Sequence, residues 1–432
     1  MSEWFYQTVL LLARPLVHLR LKWRARREVE YGQRQQERFG HVPQTLSRGP
    51  VWFHTVSAGE TIAAAPLILD LTEQYPDLPF LVTTMTPTGS AQVIERLGDH
   101  VEHCYAPYDF KDGVKRFFDR VQPRVLILME TELWPNILAQ AAARQVPVML
   151  VNARLSARSA RGYARLAGLT RTMLSRVEHI ACQTTEHRDR FIGLGAEPRA
   201  VTVTGSVKYD VSLPENYEST LAALRERFGM HASNPIWIAA STHPGEDEIV
   251  LAAHQVMVAR IPQLRLVLVP RHPVRCDEVI SLVTQAGLTA VRQSVQVDAG
   301  SAQAQQADVL IGDVMGSLQQ LYGLARVAYV GGSLVDVGGH NPIEPALTGV
   351  PVVCGPFQHN FADVMQHMAS AGGLQTVTSA EDLARAVGDW LERDEARQVA
   401  AEAALRVVDN NRGAQARVRA LVCACIDRAV AE

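Results

Sequence analysis

From residue 50 onward, short runs of Val, Ile and Leu alternate with helix-length segments, and this alternation limits the chain to few folds. Candidate strands fall at 50–54, 79–84, 101–105, 124–129, 147–151, 178–182 and 201–204. A second set falls at 236–240, 265–269, 289–292, 308–312, 327–330, 351–354 and 374–377. Runs that are apolar throughout, rather than alternating with polar residues, suit parallel strands buried on both faces by helices. A polar break lies between Lys208 and Pro235, starting at Leu213-Pro214-Glu215-Asn216. The 432 residues therefore predict an α/β chain with two Rossmann-like, doubly wound domains facing across a cleft, at 49–212 and 213–432, preceded by a distinct segment 1–48.

Composition narrows the function classes. With 47% apolar and 20% charged residues the chain is an ordinary folded protein. A net charge of −3 argues against general nucleic-acid binding. Six scattered cysteines do not make a disulfide scaffold. Cys104, Cys182 and Cys354 sit in or beside apolar runs, which predicts buried thiols in a reducing compartment. Residues 1–48 are different, with nine Arg/Lys against four acids. Trp4 to Ala13 is apolar apart from Gln7 and Thr8, Arg14-Pro15 interrupts, and Leu16 to Leu21 resumes before Lys22, Arg24, Arg26 and Arg27. The uninterrupted part is half the ~20 residues that span a bilayer. A basic cluster after the apolar run is the reverse of a signal peptide. Trp4, Phe5, Tyr6 and Trp23 beside Arg and Lys suit a membrane surface, and contact from the cytoplasmic side is the expectation. The alternative is an amphipathic helix packed on the protein itself.

Ligands of doubly wound sheets bind beyond the carboxyl ends of strands, so the residues after each run carry the functional signal. After the first run, Ser57 and Glu60 match the S-x-x-E capping box, yet Glu60 could equally serve as a general base at a strand tip. Thr83 to Ser90 is a hydroxyl-rich turn; capping explains one or two of its hydroxyls and leaves others for a sugar or phosphate. Glu130 and Glu132 directly follow the apolar Val125–Leu128, where carboxylates are costly without partners. Arg154, Arg158, Arg161 and Arg165 recur at helical spacing, and no acid occurs from Asn152 to Val177. That stripe predicts an anionic partner, a phosphorylated lipid headgroup fitting better than RNA. Lys208 is a lone cation near the break.

The second half carries the stronger nucleotide signal. Arg326 to Val330 is followed by Gly331-Gly332, Gly338-Gly339, and then Asn341 and Glu344 entering an apolar helix. Glycines there would let backbone N–H groups approach a ligand, and a carboxylate can accept from ribose hydroxyls. The Walker pattern is absent, as is a G-x-G-x-x-G with a following acid, so the pattern favours a nucleotide-sugar over ATP. Glu246, Asp247 and Glu248 read first as helix-dipole complement. Arg271 and His272 at a strand tip suit a phosphate, and Gly312 to Ser317 is another glycine-bounded turn.

Taken together these motifs resemble the Kdo (3-deoxy-D-manno-octulosonic acid) transferases of lipopolysaccharide biosynthesis. The resemblance rests on Ser57–Glu60, Thr84–Ser90, Met129–Asn136, Asn152–Ser156, Gly205–Asp210, Ala240–Glu248, Pro270–Pro273, Gly312–Gly316 and Gly338–Ala346, in order along the chain. It implies a GT-B fold and an inverting glycosyltransferase moving Kdo from CMP-Kdo to a lipid A precursor (lipid IVA) at the cytoplasmic face of the inner membrane. By motif match, Glu60 takes the general-base position, while Glu130 and Lys208 take positions that stabilise the transition state. Pro270, Arg271, Val314, Met315, Gly316, Asn341, Pro342, Ile343 and Glu344 take the CMP-binding positions. Ser317 departs from the pattern, an acid being expected there. No D-x-D metal motif is evident, so no metal and no cofactor beyond the donor substrate is expected. Two alternatives are another GT-B-fold nucleotide-sugar transferase or epimerase, and a non-catalytic CMP-binding scaffold at the membrane.

Overall fold

In a computed structural model, which describes residues 3–231, 234–295 and 305–431, each of the fourteen apolar runs forms a strand. The first seven are β1 (Val51–His54), β2 (Phe80–Thr84), β3 (Glu102–Tyr105), β4 (Val125–Met129), β5 (Val148–Ala153), β6 (His179–Cys182) and β7 (Val201–Val203). They make one parallel sheet in the order β3-β2-β1-β4-β5-β6-β7. The rest are β8 (Ile236–Thr242), β9 (Arg265–Pro270), β10 (Ala290–Arg292), β11 (Val309–Ile311), β12 (Val327–Val330), β13 (Val352–Cys354) and β14 (Leu374–Thr376). Their sheet, also parallel, has the order β10-β11-β9-β8-β12-β13-β14.

Alternate residues of one strand enter different cores, as a pleated strand covered on both faces requires. Trp52, Leu126 and Leu128 pack with Phe117 and Phe118, whereas Val51, Phe53, Val125 and Ile127 pack with Leu67, Ile68 and Leu71. In the second sheet Trp237 and Ala239 face one core, and Ile236, Ile238 and Ala240 the other.

The chain divides into two units, one running to Asp210 and resuming at Arg412, the other Val211–Asn411. The C-terminal helix Ala414–Ala431, expected with the second domain, packs in the first unit. Its Val418, Val422, Cys425 and Ile426 enter the core beneath β1 and β4. The Asp210 carboxylate accepts from the N–H groups of Gly413 and Gln415 at 2.5 and 2.6 Å, tying the helix start to the end of the first unit. The helix Tyr217–Phe228, placed by sequence within a polar connection, buries Tyr217, Leu221, Leu224 and Phe228 in the second unit.

Residues 3–27 form one continuous helix through Pro15. Contacts on both sides of the proline offset its ~3 kcal/mol cost in a helix interior. Tyr6 donates to Asp109 at 2.8 Å, Arg14 pairs with Asp112 at 3.1 Å, His18 stacks on Phe39 at 4.2 Å, and Leu21 is buried. The opposite face leaves Phe5, Val9, Leu12, Leu16, Leu19 and Trp23 exposed at spacings of three and four residues. Among the described residues no helix is long and apolar enough to cross a membrane.

Candidate active site

Strand order changes direction between β1 and β4 in the first sheet and between β8 and β12 in the second. Crevices at the carboxyl ends of such pairs are the binding positions of doubly wound sheets. Glu60 and Glu130 follow the first pair and Asn341–Glu344 follows β12 of the second, while Lys208, Pro270-Arg271 and Val314–Gly316 follow β7, β9 and β11.

Beyond β1, Ser57 caps the helix Ala58–Gln74, its Oγ accepting from the Glu60 N–H at 3.4 Å. The Glu60 carboxylate accepts from the Val56 N–H at 2.8 Å and from the Ser57 hydroxyl at 2.9 Å. The N-cap half of the capping box is therefore present, while the Glu60 carboxylate reaches past the Ser57 N–H to that of Val56, and this arrangement coexists with an unusual electrostatic state. Glu60 is 7% exposed, and its pKa is pushed up to about 8. Burial is the main cause, followed by the charge of Glu132; the Val56 N–H opposes both, and Glu130 adds to the rise.

Beyond β4, Glu130 adopts φ +55, a left-handed conformation uncommon for a residue with a Cβ. It faces two cations, Arg154 Nε at 2.7 Å and Lys208 Nζ at 3.3 Å. Glu132 accepts from the Trp134 indole N–H at 2.7 Å, and burial raises its pKa. Both carboxylates thus have the partners their position demands. Asn152, in β5 at φ +51, uses its Oδ1 to accept from the Val207 N–H at 3.2 Å, which orders the turn carrying Lys208.

Two expectations are corrected here. Arg154 is not part of a helical arginine stripe, because the helix begins at Ala157 after the Ser156 cap, and Arg154 turns to Glu130 instead. Arg158, Arg161 and Arg165 do share an exposed face with no ion pair among the described residues. Nor are the Thr83–Ser90 hydroxyls broadly available. Thr83 accepts from Trp52, Thr86 caps Gly89, Thr88 bonds Thr86, and Ser90 bonds His103, which leaves the buried Thr84 Oγ1 unpartnered.

The second unit assembles the nucleotide-type residues. Pro270 ends β9, and Arg271 follows with its N–H on Thr242 O at 3.0 Å. Val314 and Met315 are exposed, Gly316 has φ +80, and the Ser317 hydroxyl bonds Gln293 at 2.9 Å. Asn341 Nδ2 donates to Glu344 at 3.1 Å, and Asn341 Oδ1 accepts from the Ile343 N–H, which starts the helix Ile343–Leu347 around Pro342. Gly338 is required as glycine: at φ +104, a Cβ would lie 2.4 Å from His359 Nε2.

The expectation that the glycine loop offers its N–H groups to a ligand fails at residues 331–334. The Gly332, Ser333 and Leu334 N–H groups donate to Glu246 at 2.7, 3.0 and 2.9 Å. Tyr329 Oη and the His243 N–H donate to the same carboxylate. Glu246 is wholly buried, and Asp247 beside it pairs with Arg275 at 2.6 Å, so these acids organise the loop as well as beginning a helix. Sequence reasoning passed over His243 and His340, whose Nε2 atoms meet at 2.9 Å; ninety-seven residues separate them, and no local pattern links them.

Two parallel Rossmann-like sheets, each with its own switch point, make the two-unit α/β arrangement of the GT-B fold. The fold is shared with UDP-GlcNAc 2-epimerase from Neisseria meningitidis (TM-score 0.56, 15% identity, 88% of this chain and all of that one). It is shared also with a glycosyltransferase from Rickettsia africae (TM-score 0.53, 11% identity, 87% and 98%). Residues 33–211 match the family model described as 3-deoxy-D-manno-octulosonic-acid transferase. The chain is 38% identical to the 3-deoxy-D-manno-octulosonic acid transferase of Haemophilus influenzae over the full length of both, and 38% identical to that of Bordetella pertussis over 94% of this chain and 95% of the other. This chain belongs to the Kdo transferase family, and so is a glycosyltransferase.

Proposed function

We propose that the protein transfers Kdo from CMP-Kdo to a lipid A precursor, lipid IVA, with inversion at the anomeric carbon. Glu60 is the general base in this reading. The observation that carries it is a buried carboxylate at a sheet switch point with a pKa near 8. An acceptor hydroxyl is a weak nucleophile, and a base poised near the working pH removes its proton most effectively, worth typically 10²–10⁴-fold. Glu130 is held by Arg154 and Lys208, and with Lys208 it stabilises the charge that develops on transfer. The donor lies against Pro270-Arg271, Val314-Met315-Gly316 and Asn341–Glu344, with Glu344 accepting from the ribose. Stabilisation of the departing phosphate by these groups requires no metal and no further cofactor.

The acceptor is met at the cytoplasmic face of the inner membrane. The exposed stripe Phe5–Trp23 supports this, since a helix bonded to its own unit along one face has no packing reason to show six large apolar residues on the other. The basic end of that helix, Arg24, Arg26 and Arg27, suits anionic lipid. Product analysis by mass spectrometry after incubation with CMP-Kdo and lipid IVA, for wild type and Glu60→Gln, tests the reading. Loss of transfer in the variant with retained CMP binding is expected; an unaltered product yield excludes Glu60 as base.

A further inference from the structure

In sheets of this kind a glycine turn after a strand commonly meets phosphate with its backbone N–H groups. Here those donors are already engaged. Glu246 takes three consecutive N–H groups, Gly331 donates to Ala240 O at 2.8 Å, and the Gly339 and His340 N–H groups donate to the carbonyls of Gly332 and Gly331. With the N–H groups of residues 331–334, 339 and 340 taken, side chains at this switch point become the candidate receptors for an anion.

The groups in place are two imidazoles and their cationic neighbours. His243 follows β8, and His340 precedes the Asn341–Glu344 segment. Their rings lie 5° from parallel, and the 2.9 Å between the Nε2 atoms requires that one proton be shared between them. Gly332, at φ +65, lets His340 lie against the backbone, because a Cβ there would sit 2.9 Å from the imidazole Cδ2. Arg271, His272 and Arg275 face His243, as does Glu246; Arg271, His272 and Glu246 also face His340. The carboxylate is turned into five donors of its own.

We propose that the His243–His340 pair is the receptor for the phosphate of the donor nucleotide, and that the pair takes up a proton when the phosphate binds. The proposal rests on the reading that this unit takes a cytidine nucleotide. Burial holds both imidazoles below their ordinary pKa, His340 at about 4, and Arg271 opposes a further positive charge. The free pair is therefore neutral at neutral pH and offers a ligand only part of its donors. A phosphate against the rings reverses the balance, favouring imidazolium and freeing another N–H. Binding of the phosphate then tightens as pH falls, whereas binding of the base and ribose does not.

Calorimetric titration with CMP and with cytidine at pH 7.5, in two buffers of different ionisation enthalpy, tests this. At that pH the phosphate is mostly dianionic, its second pKa being about 6. The expected result is net proton uptake with CMP and none with cytidine. His340→Asn and His243→Asn, made separately, should weaken CMP about tenfold or more, as for loss of a hydrogen bond to a charged group. Both should abolish the proton uptake and leave cytidine binding unchanged, which also certifies the fold. CMP binding without proton uptake, or variants that keep the wild-type preference for CMP over cytidine, would overturn the histidine assignment alone. A wild-type protein that binds neither compound overturns the donor site with it.

Discussion

Replacing Glu60 by Gln should make the protein inactive and more stable at once. Gln keeps one oxygen to accept from the Val56 N–H, and its amide N–H can donate to the Ser57 Oγ in place of the bond that hydroxyl gave the carboxylate, so the helix start survives. What disappears is the ionisation. The ordinary carboxyl value is 4.5, and in the folded protein it is about 8. Between those pH values the native state holds a proton that the unfolded chain releases, so wild-type stability falls as pH rises through this window. At pH 7 the cost is about 3 kcal/mol, and it levels off above pH 8. Glu60→Gln escapes it, and its melting temperature should match wild type near pH 4.5 and exceed it increasingly toward pH 8. Turnover should fall about 100-fold or more, with CMP affinity unchanged. Wild-type kcat/KM should rise with pH along a limb centred near 8, because only the ionised carboxylate accepts a proton. Calorimetric melts from pH 4.5 to 9, paired with transfer to detergent-dispersed acceptor, measure both. A stability gap that stays flat across this range refutes the buried-proton argument. Turnover within about threefold of wild type returns Glu60 to a capping role alone.

Three other perturbations probe separate parts of the molecule. Glu344→Ala should weaken CMP by about 1.5–3 kcal/mol, the range for hydrogen bonds to a charged group, and titration calorimetry reads it directly; an unaltered dissociation constant in a folded variant misplaces the ribose contact. Leu12→Glu/Leu16→Glu, on the exposed face of the N-terminal helix, should reduce flotation with anionic vesicles and slow transfer to vesicle-embedded acceptor while sparing detergent-dispersed acceptor. This pair is a sharper test than removing residues 1–30, since a truncation also takes away Tyr6, Arg14 and Leu21, which bind the first unit. Ile426→Ala should destabilise the first unit by about 2–5 kcal/mol, because its side chain is fully buried against residues far away in sequence; denaturant unfolding measures the loss.

The strands were legible because burial on both faces leaves an apolar run with no alternation to confuse it, and all fourteen are found within two residues of their expected bounds. The C-terminal helix was not, since Val418, Val422 and Ile426 mark a buried face without saying whose core receives it. Contacts across hundreds of residues decide that, among them the Asp210 carboxylate at Gly413 and Gln415, Arg419 on Asp70 and Tyr75 on Asp427. Motif spacing singled out Glu60, Glu130 and the Asn341–Glu344 segment as candidates. It could not show that Arg154 leaves its supposed stripe for Glu130, because charge pairing between neighbouring strand tips depends on β4 and β5 being adjacent. The same limit hid the His243–His340 contact, made between the tips of β8 and β12.

Within each unit, what surrounds a buried carboxylate decides what it can do. Glu246 accepts five hydrogen bonds, three from consecutive backbone N–H groups, and has no lone pair left for a substrate proton. Glu130 is closed by two cations. Glu60 has two neutral donors, two acidic neighbours that repel its charge, and little water. All three sit beyond strands of a switch point, and sequence places each at a helix start or strand end without showing its partners. Their difference is in donor count and local charge, and by that measure Glu60 is the one whose proton affinity is raised, which supports the base role proposed for it.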